Sequence, residues 1–279
     1  MQKVHYETLK TDVKDHILTI TLCRENLNAF NTKMLNELIH VFDEADANDE
    51  VRAIIITGDG KAFCAGADLS GGTSTFEDSE TEADEYRDGG GILSLRIFEL
   101  KKPIIAAING PAVGVGITMT LPMDIRIASS NAKMGFVFSR RGITPEACSG
   151  WFLPRVIGIS RASELVLTGR ILKAPEALEI DLVSEIVSPE ELLPRARTIA
   201  SEIVQNTSAI SVALSRQLLW KMLGADHPRE SHKIESQMIH WTGKQADVHE
   251  GISAFFEKRK PNFPMKVSSD MPPFYPWWD

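Results

Sequence analysis

Two apolar runs about 50 residues apart, each ending in a turn of small residues, constrain this chain more than any other feature. The first is Ile54-Ile55-Ile56-Thr57-Gly58, followed by Ala62-Phe63-Cys64-Ala65-Gly66-Ala67-Asp68-Leu69. The second is Ile104-Ile105-Ala106-Ala107-Ile108-Asn109-Gly110, followed by Pro111-Ala112-Val113-Gly114-Val115-Gly116-Ile117. A third strand, Asp124-Ile125-Arg126-Ile127-Ala128, comes after it. Repetition at this period predicts stacked ββα turns, an α/β solenoid-like core rather than a Rossmann sheet. Small residues leave main-chain N–H groups open, and glycine lets a ligand approach the backbone closely. Two such turns side by side can aim two amides at one oxygen, which is an oxyanion hole.

The flanking segments follow simpler rules. Residues 3–22 read as two short strands, and His16–Leu22 alternates apolar and polar residues as a half-buried strand does. Residues 31–47 place Met34, Leu35, Leu38, Ile39, Phe42 and Ala45 on one helical face, with Asn31 and Thr32 as candidate N-caps. The stretch from Gly71 to Gly91 carries Glu77, Asp78, Glu80, Glu82, Asp84 and Glu85. It reads as a mobile, partly helical segment, either a lid or a solvated face. Helical periods then cover 161–167, 175–180, 189–205 and 208–223. The tail Met271-Pro272-Pro273-Phe274-Tyr275-Pro276-Trp277-Trp278 cannot be a regular helix. It is expected to dock on its own or a neighbouring subunit, with disorder as the alternative, because two tryptophans in water form an exposed apolar patch.

Composition excludes several classes. The net charge is -8 and no basic block stands out, which argues against nucleic acid as a partner. Cys23, Cys64 and Cys148 suit neither a disulfide framework nor a zinc site and point to a reducing compartment. Met1-Gln2-Lys3-Val4-His5-Tyr6 is not a signal peptide, and no apolar stretch is long enough to span a bilayer, so a cytoplasmic protein is expected. His232 and His240 lack a third ligand, so no metal is expected. Gly114-x-Gly116 is too short for a dinucleotide fingerprint, and no nucleophile elbow or P-loop is present.

Several ordered motifs together carry a resemblance. They are Ala65–Leu69, Pro103–Gly110, Ser163-Glu164-Leu165-Val166-Leu167-Thr168-Gly169-Arg170, Ala174-Pro175-Glu176-Ala177-Leu178 with Leu182-Val183, and Glu250–Arg259. Over roughly residues 3–263 the chain resembles the crotonase (enoyl-CoA hydratase/isomerase) superfamily. The resemblance implies a crotonase-type ββα spiral core over 1–200 and a C-terminal helical trimerisation region over 201–263, with the Pro/aromatic tail at 264–279. It also implies a homotrimer or hexamer and a coenzyme A thioester as substrate, with no further cofactor. By that resemblance the oxyanion amides belong to Ala67 and Val115, Ala65, Asp68 and Leu69 cradle the adenine, and Arg24 meets the CoA phosphates. Phe255 and Lys258 would reach the CoA of a neighbouring subunit. Where the family typically has three glycines, this chain has Gly114-Val115-Gly116; the valine keeps its N–H but narrows the acyl pocket.

Hydratases of the family use two glutamates, which align with Thr118 and Phe138, so this chain has neither. One acid remains nearby, Glu146 in Thr144-Pro145-Glu146-Ala147-Cys148. Its turn is similar to the one carrying the single glutamate of peroxisomal Δ3,Δ2-enoyl-CoA isomerases. One base shuttling a proton between Cα and Cγ suits isomerisation, and burial would raise its pKa toward neutrality. The simpler alternative is that Glu146 only caps the following helix. Asp68 reads mainly as a helix cap, and Cys64 and Cys148 as small apolar fillers. A non-catalytic acyl-CoA-binding protein of the same fold is the rival reading; a Glu146 turned away from the Ala67 and Val115 amides would favour it.

Overall fold

The computed structural model describes residues 5–77 and 81–278. The chain opens with β1 (Leu9–Lys14) and β2 (Ile17–Leu22), paired antiparallel. Asp15 and His16 turn the hairpin with φ of 54° and 61°, the left-handed pair that a two-residue loop requires. Next, α1 (Thr32–Ala47) starts where the Asn31 side chain accepts from the Met34 N–H at 2.9 Å. The buried face of α1 carries Met34, Leu35, Leu38, Val41, Phe42 and Ala45.

The repeated units follow as β3 (Ala53–Gly58), α2 (Gly89–Phe98), β4 (Ile104–Ile108), β5 (Ala112–Val113) and α3 (Val115–Thr118). Then come β6 (Ile125–Ser129), β7 (Lys133–Gly135), α4 (Ser149–Ile157), α5 (Ile159–Thr168) and β8 (Ile171–Lys173). The chain continues through α6 (Ala174–Glu179), β9 (Glu185–Val187), α7 (Leu192–Asn206), α8 (Ala209–Met222), α9 (Pro228–Thr242) and α10 (Ala246–Glu257).

Six strands form one sheet in the order β1-β2-β3-β4-β6-β9, and β5-β7-β8 form a second. Beyond the opening hairpin, every pairing in the larger sheet is parallel, with Ile54 beside Ile104. Strand order follows chain order, so the sheet has no reversal point of the kind at which doubly wound folds bind dinucleotides. Alternating side chains divide the core. Ile54, Ile56, Ile104, Ala106 and Ile108 face α1 and Phe63, whereas Ile55, Ile105, Ala107 and Ile127 face Leu192, Ala196 and Ala200 of α7.

The aromatic tail docks on its own chain. Phe274, Tyr275 and Trp277 pack with Val267 against a cluster from α8 and α9 that includes Ile210, Leu214 and Met238. Lys221 of α8 lies 4.1 Å from the Trp278 ring centroid.

The structure corrects the expected outline in places. Gly89-Gly90-Gly91 does not close a loop but forms the first turn of α2. The helix after the second repeated strand is a single turn, α3. Strands β8 and β9 and helix α9 were not evident from periodicity, and α7 starts at Leu192 rather than 189. Residues 3 and 4 of the expected first strand, and Asp78 and Glu80 of the acidic stretch, lie outside the described residues. Among the described residues, no helix is long and apolar enough to cross a membrane.

Candidate active site

The two small-residue turns meet. The N–H groups of Phe63 and Cys64 both donate to the Pro111 carbonyl at 3.1 Å, and the Val113 N–H donates to the Cys64 carbonyl at 3.0 Å. A Cβ on Gly116 would stand 2.1 Å from the Cys64 carbonyl oxygen, so only glycine permits this approach. Ala67 is held on both sides: Phe30 N–H donates to Gly66 O, and Asp68 N–H to Phe30 O, each at 2.8 Å. This pairing turns the Ala67 N–H away from Phe30. Val115 is the first residue of α3, where an N–H has no intrahelical acceptor. Among the described residues, neither the Ala67 nor the Val115 N–H donates a hydrogen bond.

Glu146 reaches the α3 turn. Its Oε1 accepts from the Thr118 hydroxyl, one helical turn beyond Val115, at 2.6 Å. Burial pushes the Glu146 carboxyl up to about 7; the Thr118 hydrogen bond opposes this, while the charge of Asp88 and a hydrogen bond with its carboxylate add to it. The loop carrying Glu146 is unusual, because Ala147 and Cys148 both adopt left-handed backbone, with φ of 57° and 54°. Non-glycine residues in that region cost about 1 kcal/mol or more each and persist only where surrounding contacts impose them. Those contacts are present. The Ser149 N–H donates to the Glu146 carbonyl at 2.9 Å, and the Ala147 N–H to Asp88 Oδ1 at 3.1 Å. Glu146 does not cap α4, whose N-cap position is Cys148 with no side-chain bond.

The first turn of α2 is built around the same carboxylates. Asp88 caps it, accepting from the Gly91 N–H at 2.6 Å. A Cβ on Gly90 would fall 1.8 Å from Glu146 Oε2, so the glycine makes room for the carboxylate.

The remaining expected residues are distributed as follows. Asp68 N-caps the short turn Leu69–Ser74, accepting from the Ser70 N–H at 3.0 Å. The Arg24 guanidinium donates to Asp68 at 2.8 Å and to the Ala29 carbonyl. This pair holds Asp68 below the usual carboxylate range. The Ala65 N–H donates to the Leu27 carbonyl at 3.1 Å, and the Leu69 side chain is exposed. Phe255 and Lys258 stand exposed at the end of α10 and are not part of the Glu146 cluster. Cys64 is buried, its thiol pushed up to about 12 by desolvation. Phe138 lies in the core.

Sequence reasoning noted Thr118 only as the place of a missing glutamate; its hydroxyl instead anchors Glu146. It missed Asp88, hidden in an acidic, glycine-rich stretch. The signal available was an Asp followed by helix-compatible apolar spacing at Ile92, Leu93 and Ile97.

The chain is similar to known proteins along most of its length. The family model described as enoyl-CoA hydratase/isomerase matches residues 12–266. An enoyl-CoA hydratase of Alternaria alternata, ACTT3, is 43% identical over 251 residues, covering 89% of this chain and 83% of that protein. The 1,2-epoxyphenylacetyl-CoA isomerase of Escherichia coli is 32% identical over 268 residues, covering 92% of this chain and 98% of the relative. A crystal structure of a probable enoyl-CoA hydratase/isomerase from Mycobacterium abscessus superposes with a TM-score of 0.86 at 30% identity, covering 92% of this chain and 99% of that one.

Proposed function

The chain belongs to the enoyl-CoA hydratase/isomerase family, and we propose that it isomerises an enoyl-CoA thioester with Glu146 as its single proton carrier. The observation that carries this reading is the buried Glu146 carboxylate bonded to Thr118, on the turn that Val115 opens. A desolvated carboxylate whose pKa is pushed up to about 7 is suited to taking and returning a proton near neutrality, which favours the catalytic reading over a binding protein.

In this reading the thioester oxygen accepts from the Ala67 and Val115 N–H groups. Charge held there acidifies the Cα–H bond. Losing one such donor raises a barrier by roughly 3–4 kcal/mol in comparable sites. Ionised Glu146 takes a proton from Cα of a 3-enoyl-CoA, and the bonding electrons pass into a dienolate. The dienolate takes the proton back at Cγ, leaving the double bond between Cα and Cβ. Atoms and charge balance without a second acid.

Ala65, Asp68 and Leu69 line the adenine, and Arg24, paired with Asp68, meets the CoA phosphates. Phe255 and Lys258 approach the CoA of a neighbouring subunit in a homotrimer or hexamer; weaker binding of dephospho-CoA to wild type but not to Lys258→Ala tests that contact. The three cysteines, all free, suit the cytoplasm. Hydration is the second reading, favoured by the names of the relatives and by the acid beside Glu146. A panel of 2-enoyl- and 3-enoyl-CoA thioesters separates the two. Conversion of 3-enoyl to 2-enoyl substrate as the main activity supports isomerisation; 3-hydroxyacyl-CoA formed from the 2-enoyl substrate as the main product replaces it with hydration.

A further inference from the structure

We propose that Asp88 is a positioning residue for Glu146: it ties the first turn of α2 to the loop after Glu146 and sets its own carboxylate beside the one that moves the proton. The inference rests on the proposed role of Glu146. One oxygen of Asp88 accepts from two N–H groups of different elements, Gly91 at 2.6 Å and Ala147 at 3.1 Å. The second bond fixes the first residue of the left-handed pair Ala147-Cys148, which the backbone would not adopt unaided. Gly90 lies between these anchors, and the absence of its Cβ lets the Glu146 carboxylate settle against α2. Asp88 thereby fixes both where Glu146 sits and what charge it faces.

The groups acting on Glu146 come from each element around it. Thr118 of α3 donates to it, Asp88 at the start of α2 opposes its ionisation, and the Cys64 and Cys148 thiols stand nearby with their own pKa values raised. Among the described residues, no lysine or arginine contributes to the shift. The like charge on Asp88 therefore has no cationic counterweight at Glu146 and keeps it a weak enough acid to accept and return a proton near neutrality.

The test is a 13C NMR titration of protein labelled at the glutamate carboxyls, with the Glu146 signal assigned by its loss in Glu146→Gln. In Asp88→Asn and in Asp88→Ser the N-cap acceptor is retained and the charge is gone. Both variants are expected to lower the Glu146 midpoint by about one unit or more. The acidic limb of the kcat/KM profile should move down with it. A midpoint within a few tenths of a unit of wild type in both variants overturns the proposal. A lowered midpoint with an unmoved acidic limb upholds the placement of Asp88 and removes Glu146 from the reaction instead.

Discussion

At the scale of single residues, Glu146 joins stability and chemistry through one proton. Its folded pKa of about 7 lies above the ordinary 4.5, with burial as the main cause. The folded state therefore binds the proton more tightly than the unfolded chain. The associated stability is fully present below about pH 4.5 and is lost as pH rises through 7, to a limit of ~3 kcal/mol. Glu146→Gln, neutral at every pH, should melt at a higher temperature than wild type at pH 8, and the difference should vanish below pH 5. A variant no more stable than wild type at pH 8 would show that the carboxylate is not desolvated. Catalysis runs the other way. If the ionised form is the base, kcat/KM should rise with pH, half-maximal near 7, to a plateau above about pH 8. The candidacy of Glu146 was legible from the sequence, because Pro145-Glu146-Ala147 carries the acid that remains near the expected site. Its partners were not, since Asp88 is 58 residues upstream and only the tertiary fold brings it to Ala147.

Among the elements, α2 shows how local composition can mislead. Three consecutive glycines after an acidic stretch read as loop, since glycine disfavours helix by about 1 kcal/mol per residue. Here packing decides otherwise: Gly89 lies against Leu35, Gly90 against Glu146 and Gly91 under its own Asp88 cap. Gly90→Ala improves helix propensity yet puts a methyl where Glu146 Oε2 now lies. We predict an enzyme that folds with near wild-type stability but loses tenfold or more in kcat/KM, on the order expected of a displaced proton carrier. Equal kcat/KM in that variant would mean that the carboxylate does not work from this position. The repeated strands, by contrast, were legible, because a fixed spacing between apolar runs translates directly into the parallel register of Ile54 with Ile104. The polar helix α9 was not, because its apolar stripe is thin: Met238 is its one fully buried residue, with Ile234 and Trp241 half-buried on the same face.

Across the whole molecule, a buried arginine fastens the C-terminal helices to the spiral. Arg216 of α8 pairs with Asp124 at 2.8 Å and donates to the carbonyls of Ile97, Phe98, Leu100 and Pro122. Removing it leaves the Asp124 carboxylate, still bonded to the Trp220 and Ile104 N–H groups, without its cationic partner, so Arg216→Ala should cost about 3–5 kcal/mol in a urea unfolding series. A loss below 1 kcal/mol would show that the helices are held by apolar contacts alone. The docking of the tail was foreseeable from its tryptophans, whereas the pairing of Arg24 with Asp68, 44 residues further on, needed the tertiary fold. The account depends most on proton transfer at the carbon next to a thioester carbonyl, carried by Glu146 while the Ala67 and Val115 amides hold the oxygen. Its most direct test is the rate at which solvent deuterium enters Cα of a bound enoyl-CoA, followed by NMR in wild type and Glu146→Gln. The account predicts exchange slowed at least ~100-fold in the variant; exchange at the wild-type rate would contradict it.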